Sequence, residues 1–405
     1  MENRRVFERV KVAEFAWVGV GPMVGRTLAG WGATVVKIET NATPCPLRTM
    51  GPFKDYVPGP NRSAFYTLPN PNKYGLSLDM HKPQARELAR RLIGWADVVT
   101  ESYAPGAMKN WGLDYEEARK IKPDIIYYST CMQGQTGPHR LFRGYGTHMA
   151  ALGGYYHLTG WPDRPPAGPY GAYSDFIAML YGVSLVLAAL DYRRRTGKGL
   201  YIDLSQIEAG LQFLGPVLLD YTSNGRVWSR RGNRDERACP HGAYPCSGED
   251  RWVTIAVFND EEWQSFCDVL GNPKWTKDPR FATLVARKEN EDELDSLIGE
   301  WTRKLTAEQV TATMQAAGVA AGAVHKASDL LSDPQLKERN QFITLEHPEI
   351  GSHFYRTSSF KLSKTPEELV RPAPCLGEHN EYVLKELLNM SNEEIADLVA
   401  AEALE

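Results

Sequence analysis

Residues 10–39, VKVAEFAWVGVGPMVGRTLAGWGATVVKIE, carry the reading on which the fold rests. The apolar stretch 10–18 has strand character and Gly19 and Gly21 make a turn. Residues 23–31 are helix-like, with Pro22 suited to a helix start, and 33–38 form a second strand. Two strands joined by a helix make a βαβ unit, and the pattern recurs. Residues 84–95 read as helix and 97–100 as strand, then 115–120 as helix and 125–130 as strand. Such alternation predicts an α/β fold, a Rossmann-like parallel sheet with helices on both faces.

The same glycines raise a rival function. Gly19, Gly21 and Gly25 follow a strand, and Glu39 stands about 20 residues on, where a dinucleotide fold places its ribose-binding acid. The spacing is GxGxxxG rather than GxGxxG. Val24 holds the place of the third glycine, and Pro22 removes an N–H that a pyrophosphate would use. A nicotinamide-dependent oxidoreductase is therefore the less favoured reading.

Further on, a Gly/Pro/Tyr-rich approach (Pro169, Tyr170, Gly171, Ala172, Tyr173, Ser174) gives way at Asp175 to an apolar run over residues 176–190. The run reads as a buried helix with Asp175 at its N-cap, Arg193, Arg194 and Arg195 at its negative end, and Gly197 and Gly199 stopping it. Two roles for Asp175 stay open. As a cap it satisfies orphan N–H groups; as a nucleophile it attacks an activated acyl carbon and carries the acyl group as an anhydride.

At 405 residues the chain exceeds what one core usually fills, so two units are expected. The divisions read from the sequence are a large domain over 1–200, a linker over 201–237, a small α+β domain over 238–326, and a segment 327–405 that returns to the large domain; 200–204 alternates like a strand and 208–218 looks helical, before an Arg-, Asn- and Gly-rich stretch at 224–237. In the small domain 252–258 and 319–324 read as strands, and 261–270, 289–304 and 307–317 as helices. Beyond it, Pro-bearing loops lead to a closing helix at 381–388 and an acidic tail.

With 46 basic against 50 acidic residues, net −4 and no run of one sign, no nucleic-acid partner is expected. The six cysteines include no CxxC pair, and Cys239, His241 and Cys246 lack a fourth ligand, so neither a metal nor a disulfide framework is expected. Residues 176–190 fall short of the roughly 20 needed to cross a membrane. The charged N-terminus (Glu2, Arg4, Arg5, Glu8, Arg9, Lys11) has no apolar signal region, and a cytoplasmic protein without a membrane partner is expected.

A series of short motifs runs through the whole chain. Gly21 and Pro22 precede Leu28, Gly32, Ala33 and the strand to Glu39. Asn70, Asn72, Lys73, Leu78 and Asp79 come next, then Asp97, Val98, Glu101, Pro105 and Gly106. GQTGP begins at Gly134 and RRRTGKG at Arg193. Later come Arg231, Gly232 and Asn233, the run Asp278 to Phe281, then Asp333 and Pro334, and Leu376 to His379. In this order they resemble the class III CoA-transferase family, of the formyl-CoA transferase and carnitine CoA-transferase type.

The resemblance implies a large Rossmann-like domain built from both chain ends, a small domain, and two subunits interlocked as rings. It places Asp175 at the catalytic aspartate, which passes through an aspartyl anhydride and an aspartyl-CoA thioester. The helix N-terminus is expected to keep that carboxylate charged. It implies a CoA thioester as substrate with no tightly bound cofactor. By resemblance Val18, Val20, Lys73, Ser102, Tyr103, Lys109 and Arg143 would contact CoA, and Gly19, Arg48 and Tyr145 the substrate. The expected reaction moves CoA from a donor such as succinyl-CoA to a carboxylic acid, a benzylsuccinate-like or other bulky dicarboxylate included.

Departures leave alternatives. Related α-methylacyl-CoA racemases use a Gly-His-Asp motif where this chain has Gly144, Tyr145 and Gly146, with His148 as a conceivable substitute. Thr40 and Asn110 stand where basic residues commonly meet CoA phosphates, which fits a poorly active partner of a heteromeric transferase as well as a homodimer. Where the family's oxalate-specific members carry a run of glycines as a lid, this chain has only the mixed loop 232–248.

Overall fold

The computed structural model describes residues 5–404; Glu2, Arg4 and the last residue of the acidic tail lie outside them. Six parallel strands form the main sheet: β1 (Lys11–Phe15), β2 (Thr34–Glu39), β3 (Tyr74–Ser77), β4 (Val98–Glu101), β5 (Ile126–Cys131) and β6 (Leu200–Ser205). Their order, 3-2-1-4-5-6, is that of a Rossmann fold, so the direction of winding reverses beside β1. Helices α1 (Val20–Gly30), α2 (Pro83–Trp95), α3 (Tyr115–Ile121), α4 (Gly146–Leu152), α5 (Tyr173–Thr196) and α6 (Gln206–Leu211) belong to the same unit.

Alternation along the strands builds two cores. Ala13, Phe15, Val36, Ile38, Val99 and Tyr127 meet Leu88, Leu92 and Ile93 of α2 on one face. Val12, Val35, Val98, Ile126 and Tyr128 meet Val24 and Leu28 of α1 and Ile177, Ala178 and Val186 of α5 on the other. Each such side chain removed from water contributes about 1.5–3 kcal/mol, and nearly all of these are fully buried. Strands buried on both faces explain why the sequence shows apolar runs there rather than polar alternation.

By contact, the chain divides into two units. The larger comprises the residues up to His157, Ala167–Trp228 and Lys337 onward; the smaller comprises Leu158–Pro166 and Ser229–Leu336. The linker drawn over 201–237 is therefore corrected. Residues 200–205 are the sixth strand, in register with β5 (Ile126 opposite Leu200, Cys131 opposite Ser205), and α6 continues the same unit. The short segment Leu158–Pro166 had no sequence signal that tied it to the smaller unit.

The returning segment holds more order than expected. Phe342–His347 and Gly351–Arg356 form an antiparallel hairpin, and Asn392–Ala400, within the supposed acidic tail, is a helix capped by Ser391. Val383, Leu384, Leu388 and Leu398 pack into the core shared with β3 and α2. Asn72 accepts from the N–H groups of Val370 and Arg371 and donates to the Glu368 carbonyl, and Leu78 pairs with Leu404.

In the smaller unit β7 (His241–Pro245), β8 (Trp252–Ala256) and β9 (Ala320–Ala323) make an antiparallel sheet. Its core includes Tyr244, Val253, Phe266, Phe281, Leu294 and Ile298. Fully buried Arg287 ties it together, donating to the carbonyls of Cys239 and Phe281 and stacking on Trp263. β7 runs through the region read as a mixed loop at 232–248 and takes five residues of it, His241–Pro245. Cys239 and Cys246 lie in this core, and His241 is bonded to the Asn233 carbonyl.

Candidate active site

Helix α5 starts two residues before Asp175, with Ala172 at the N-cap position, so Asp175 is the third residue of the helix rather than its cap. The aspartate points inward and is 6% exposed. Its Oδ1 has no hydrogen-bond partner among the described residues. Burial, with no compensating cation, pushes its carboxyl up to about 7. The expectation that the helix end keeps it ionised is corrected: desolvation is the larger effect here.

Two glycines enclose this carboxyl. A Cβ on Gly19 would stand 2.7 Å from Oδ2, and one on Gly146 would collide with Oδ1. Gly146 opens α4, and Ser174 fixes the two helix starts together by donating to the Gly146 carbonyl at 2.9 Å. Opposite lies the turn from β1 into α1. Val18 adopts a positive φ of 59°, a costly conformation for a β-branched residue. The turn is held from both sides: Trp17 N–H donates to Ser102 Oγ, which donates back to the Trp17 carbonyl, and Val18 N–H donates to Cys45 Sγ.

A cavity of about 640 Å³ opens above Asp175 at the carboxyl ends of the strands, where ligands of open α/β sheets bind. Of the residues expected at the site, Val18, Gly19, Val20, Ser102, Tyr103, Arg143, Tyr145 and Asp175 line it. A second cavity of about 260 Å³ shares Trp17, Tyr103 and Ala104 with the first and continues past Thr40, His81 and Trp111. Trp17, Tyr103 and Trp111 form a continuous aromatic wall, with centroid spacings of 5.1 and 5.3 Å.

Three expected contacts are elsewhere. Lys73 is fully buried, its Nζ 2.8 and 2.9 Å from the Glu14 oxygens, and it also donates to the Pro22 carbonyl. Arg48 is fully buried in a two-pronged pair with Glu39 at 2.8 and 3.0 Å and lies over the Tyr66 ring. Neither can meet CoA or substrate, because each already holds a buried carboxylate that would otherwise be stranded. Lys109 is exposed on a short helix and lines neither cavity.

These pairs also dispose of the dinucleotide reading. Glu39, its candidate ribose ligand, is bound by Arg48 and Tyr66. Gly25 is needed because the Glu14 carboxylate lies against its Cα. His148 accepts from Tyr145 N–H and faces a neighbouring hollow with Met149 and Leu152, so it gives Asp175 no second base within the cavity.

Sequence reasoning missed Arg140 and Gln206, which both line the cavity. Gln206 directly follows β6, and assigning β6 to the main sheet would have exposed it. By length and composition the 24-residue α5 is able to cross a membrane, unlike the shorter run first read. Here it packs against α1, α6, β5 and β6.

Comparison with known proteins places this geometry. The model of "CoA-transferase family III" matches residues 7–380. The chain is 32% identical to succinyl-CoA–D-citramalate CoA-transferase of Chloroflexus aurantiacus, over 98% of this chain and 97% of that one. It is 33% identical to succinate–glutarate CoA-transferase of Agrobacterium fabrum, over 96% and 97%. The crystal structure of a CAIB/BAIF family protein from Brucella suis, 32% identical, superposes with a TM-score of 0.87 over 95% of this chain and all of the other. A match that runs through the whole site and well beyond it on both sides means that the chain belongs to CoA-transferase family III.

Proposed function

We propose that the protein transfers CoA from succinyl-CoA to a second carboxylic acid, itself a small dicarboxylate, with Asp175 as the acyl carrier. The observation that carries this reading is the buried, cation-free carboxyl of Asp175 at the floor of a cavity walled by two glycines. Relatives named for succinyl-CoA with citramalate, and for succinate with glutarate, supply the substrate class.

In this mechanism the Asp175 carboxylate attacks the thioester carbon of the donor, the C–S bond breaks, and CoA thiolate leaves a mixed anhydride. The thiolate attacks the aspartyl carbonyl, which releases succinate and forms an aspartyl-CoA thioester. The acceptor carboxylate displaces the thiolate to give a second anhydride. The thiolate then takes the acceptor acyl group and restores Asp175.

CoA has a path to this centre through the aromatic-walled second cavity past Trp17 and Tyr103. Thr40 and His81 line that cavity, and Arg143 stands at the rim of the first. Exposed Leu180, Phe213 and Leu219 fit a face covered by another subunit, of the same or a related chain. Incubation with succinyl-CoA followed by borohydride reduction tests the carrier. Peptide mapping is expected to find the modification at Asp175, and labelling of another residue would refute the assignment.

A further inference from the structure

Glu101 is a buried carboxylate that the transfer chemistry leaves unused. It ends β4 at 4% exposure and directly precedes Ser102 and Tyr103, which line the main cavity. One of its oxygens accepts from the Tyr103 N–H at 2.9 Å. The other accepts from the Ser129 hydroxyl and, at 3.2 Å, from the side-chain amide of Gln135. Gln135 also donates to Ser129 Oγ at 2.8 Å, and its backbone N–H donates to both Asp203 oxygens at 3.1 Å. Among the described residues no cation faces Glu101, so these neutral donors carry the task of solvating its charge.

Gln135 is also the last fixed point before a free stretch. From Thr136 to Gly144 no hydrogen bond or ion pair reaches another element among the described residues; the backbone bonds of Arg140 to Gly137 and of Phe142 to His139 are internal. The chain is fixed again at the start of α4, where Ser174 holds the Gly146 carbonyl. Arg140 and Arg143, the only cations among the residues lining the cavity, both sit on this stretch, exposed and without a carboxylate partner among the described residues.

Resting on the transfer reading above, we infer that Glu101 is a positioning residue: through Gln135 it fixes residues 136–144 so that Arg140 and Arg143 meet an anionic group of the bound substrates, the far carboxylate of a dicarboxylate or a phosphate of CoA. Unpaired guanidinium groups lining a cavity suit such a ligand. A stretch held at its root has less freedom to lose when the anion binds, so the tie acts on affinity. The tie is two-sided, because the same carboxylate orients the backbone of Tyr103 on the wall that the two cavities share. Only a carboxylate can accept on both sides. An amide in its place has one acceptor oxygen and sets its NH2 against donors on the other side.

The test compares Glu101→Gln and Gln135→Leu with the parent in the full-length protein, at pH 8, where the carboxyls of Glu101 and Asp175, both raised to about 7, are ionised. KM for the substrate that carries the anion is expected to rise about fivefold to tenfold in both variants, and kcat to fall by less than KM rises. Two probes identify the anion. Loss of the effect with succinyl-pantetheine, which lacks the phosphates, assigns it to CoA; loss with a monocarboxylate acceptor assigns it to the dicarboxylate. In a background carrying Arg140→Gln and Arg143→Gln, Gln135→Leu is expected to change KM less than about twofold, because the groups it positions are gone. An undiminished effect in that background, an effect that persists with both probes, or a parental KM in both folded variants would overturn the inference. Should Glu101→Gln fail to fold, Gln135→Leu alone decides. Borohydride trapping with succinyl-CoA, run alongside, keeps the two readings apart: a parent that never labels at Asp175 overturns the carrier role, whereas normal labelling with unaltered KM overturns only the positioning role.

Discussion

Glu39 and Asp175 are two carboxylates in one domain, 7% and 6% exposed, that have been given opposite surroundings. Burial would raise Glu39, but the Arg48 guanidinium and Lys37 more than offset it and hold its carboxyl down to about 2; Tyr66 adds a hydrogen bond at 2.6 Å. Asp175 meets only the same burial and rises to about 7. Glu14 is likewise paired with cations, Lys73 and Lys37. Buried charge among these carboxylates is therefore of two kinds. One is closed on itself and shapes the turn before α1; the other is left open toward a cavity.

The largest effect separating the two kinds should come from Asp175→Asn. Turnover is expected to fall by at least about 10³-fold, since an amide cannot form the anhydride. Stability should move the other way. The folded-state carboxyl lies above its ordinary 3.8, so the stability it contributes is complete below that value and is lost as pH rises through about 7. Between pH 5 and pH 8 the asparagine variant should gain roughly 2–3 kcal/mol relative to the parent in urea unfolding. Equal responses to pH would mean that Asp175 is not held in the environment described.

Arg48→Met should reverse that outcome. It strands Glu39 and is expected to cost about 3–5 kcal/mol of unfolding free energy, measured by the same titration. A smaller effect is the pH dependence of the parent's kcat/KM at saturating acceptor. If ionised Asp175 is the nucleophile, the rate should rise about tenfold from pH 6 to pH 8 with a midpoint near 7. A flat profile would separate the raised carboxyl from the chemistry. Smallest of all, Arg140→Gln should raise KM for a dicarboxylate acceptor several-fold and leave a monocarboxylate unaffected; equal changes for both would place Arg140 outside acceptor recognition.

Much of this was legible in residues 10–39, because a strand, a glycine turn and a helix carry their periodicity locally. Asp175 was legible as a junction between turn-rich and apolar sequence. Its burial was not, because the residues that enclose it, Gly19 and Gly146, lie far off in the chain and act by lacking side chains. Lys73 and Arg48 misled for the related reason that a cation's partner is set by tertiary structure: nothing near Lys73 in sequence announces Glu14. Gln206 was hidden by reading residues 201–237 as a linker. Residues 200–204 read as a strand from their alternation, and only pairing with β5 shows that this strand completes the main sheet.

The return of the last segment to the first domain has a consequence during synthesis. A ribosome delivers the chain from its N-terminus, and all six strands of the large sheet have emerged long before Val383, Leu384 and Leu398. Until then Leu76, Leu78 and Leu88 lack part of their cover, and Asn72 lacks the backbone partners at residues 368–371. The smaller unit has all its residues in hand earlier, by Leu336. The domain that carries the reactive carboxyl is thus the last to close, and a chain released short of its end would leave that core open to proteases and to aggregation.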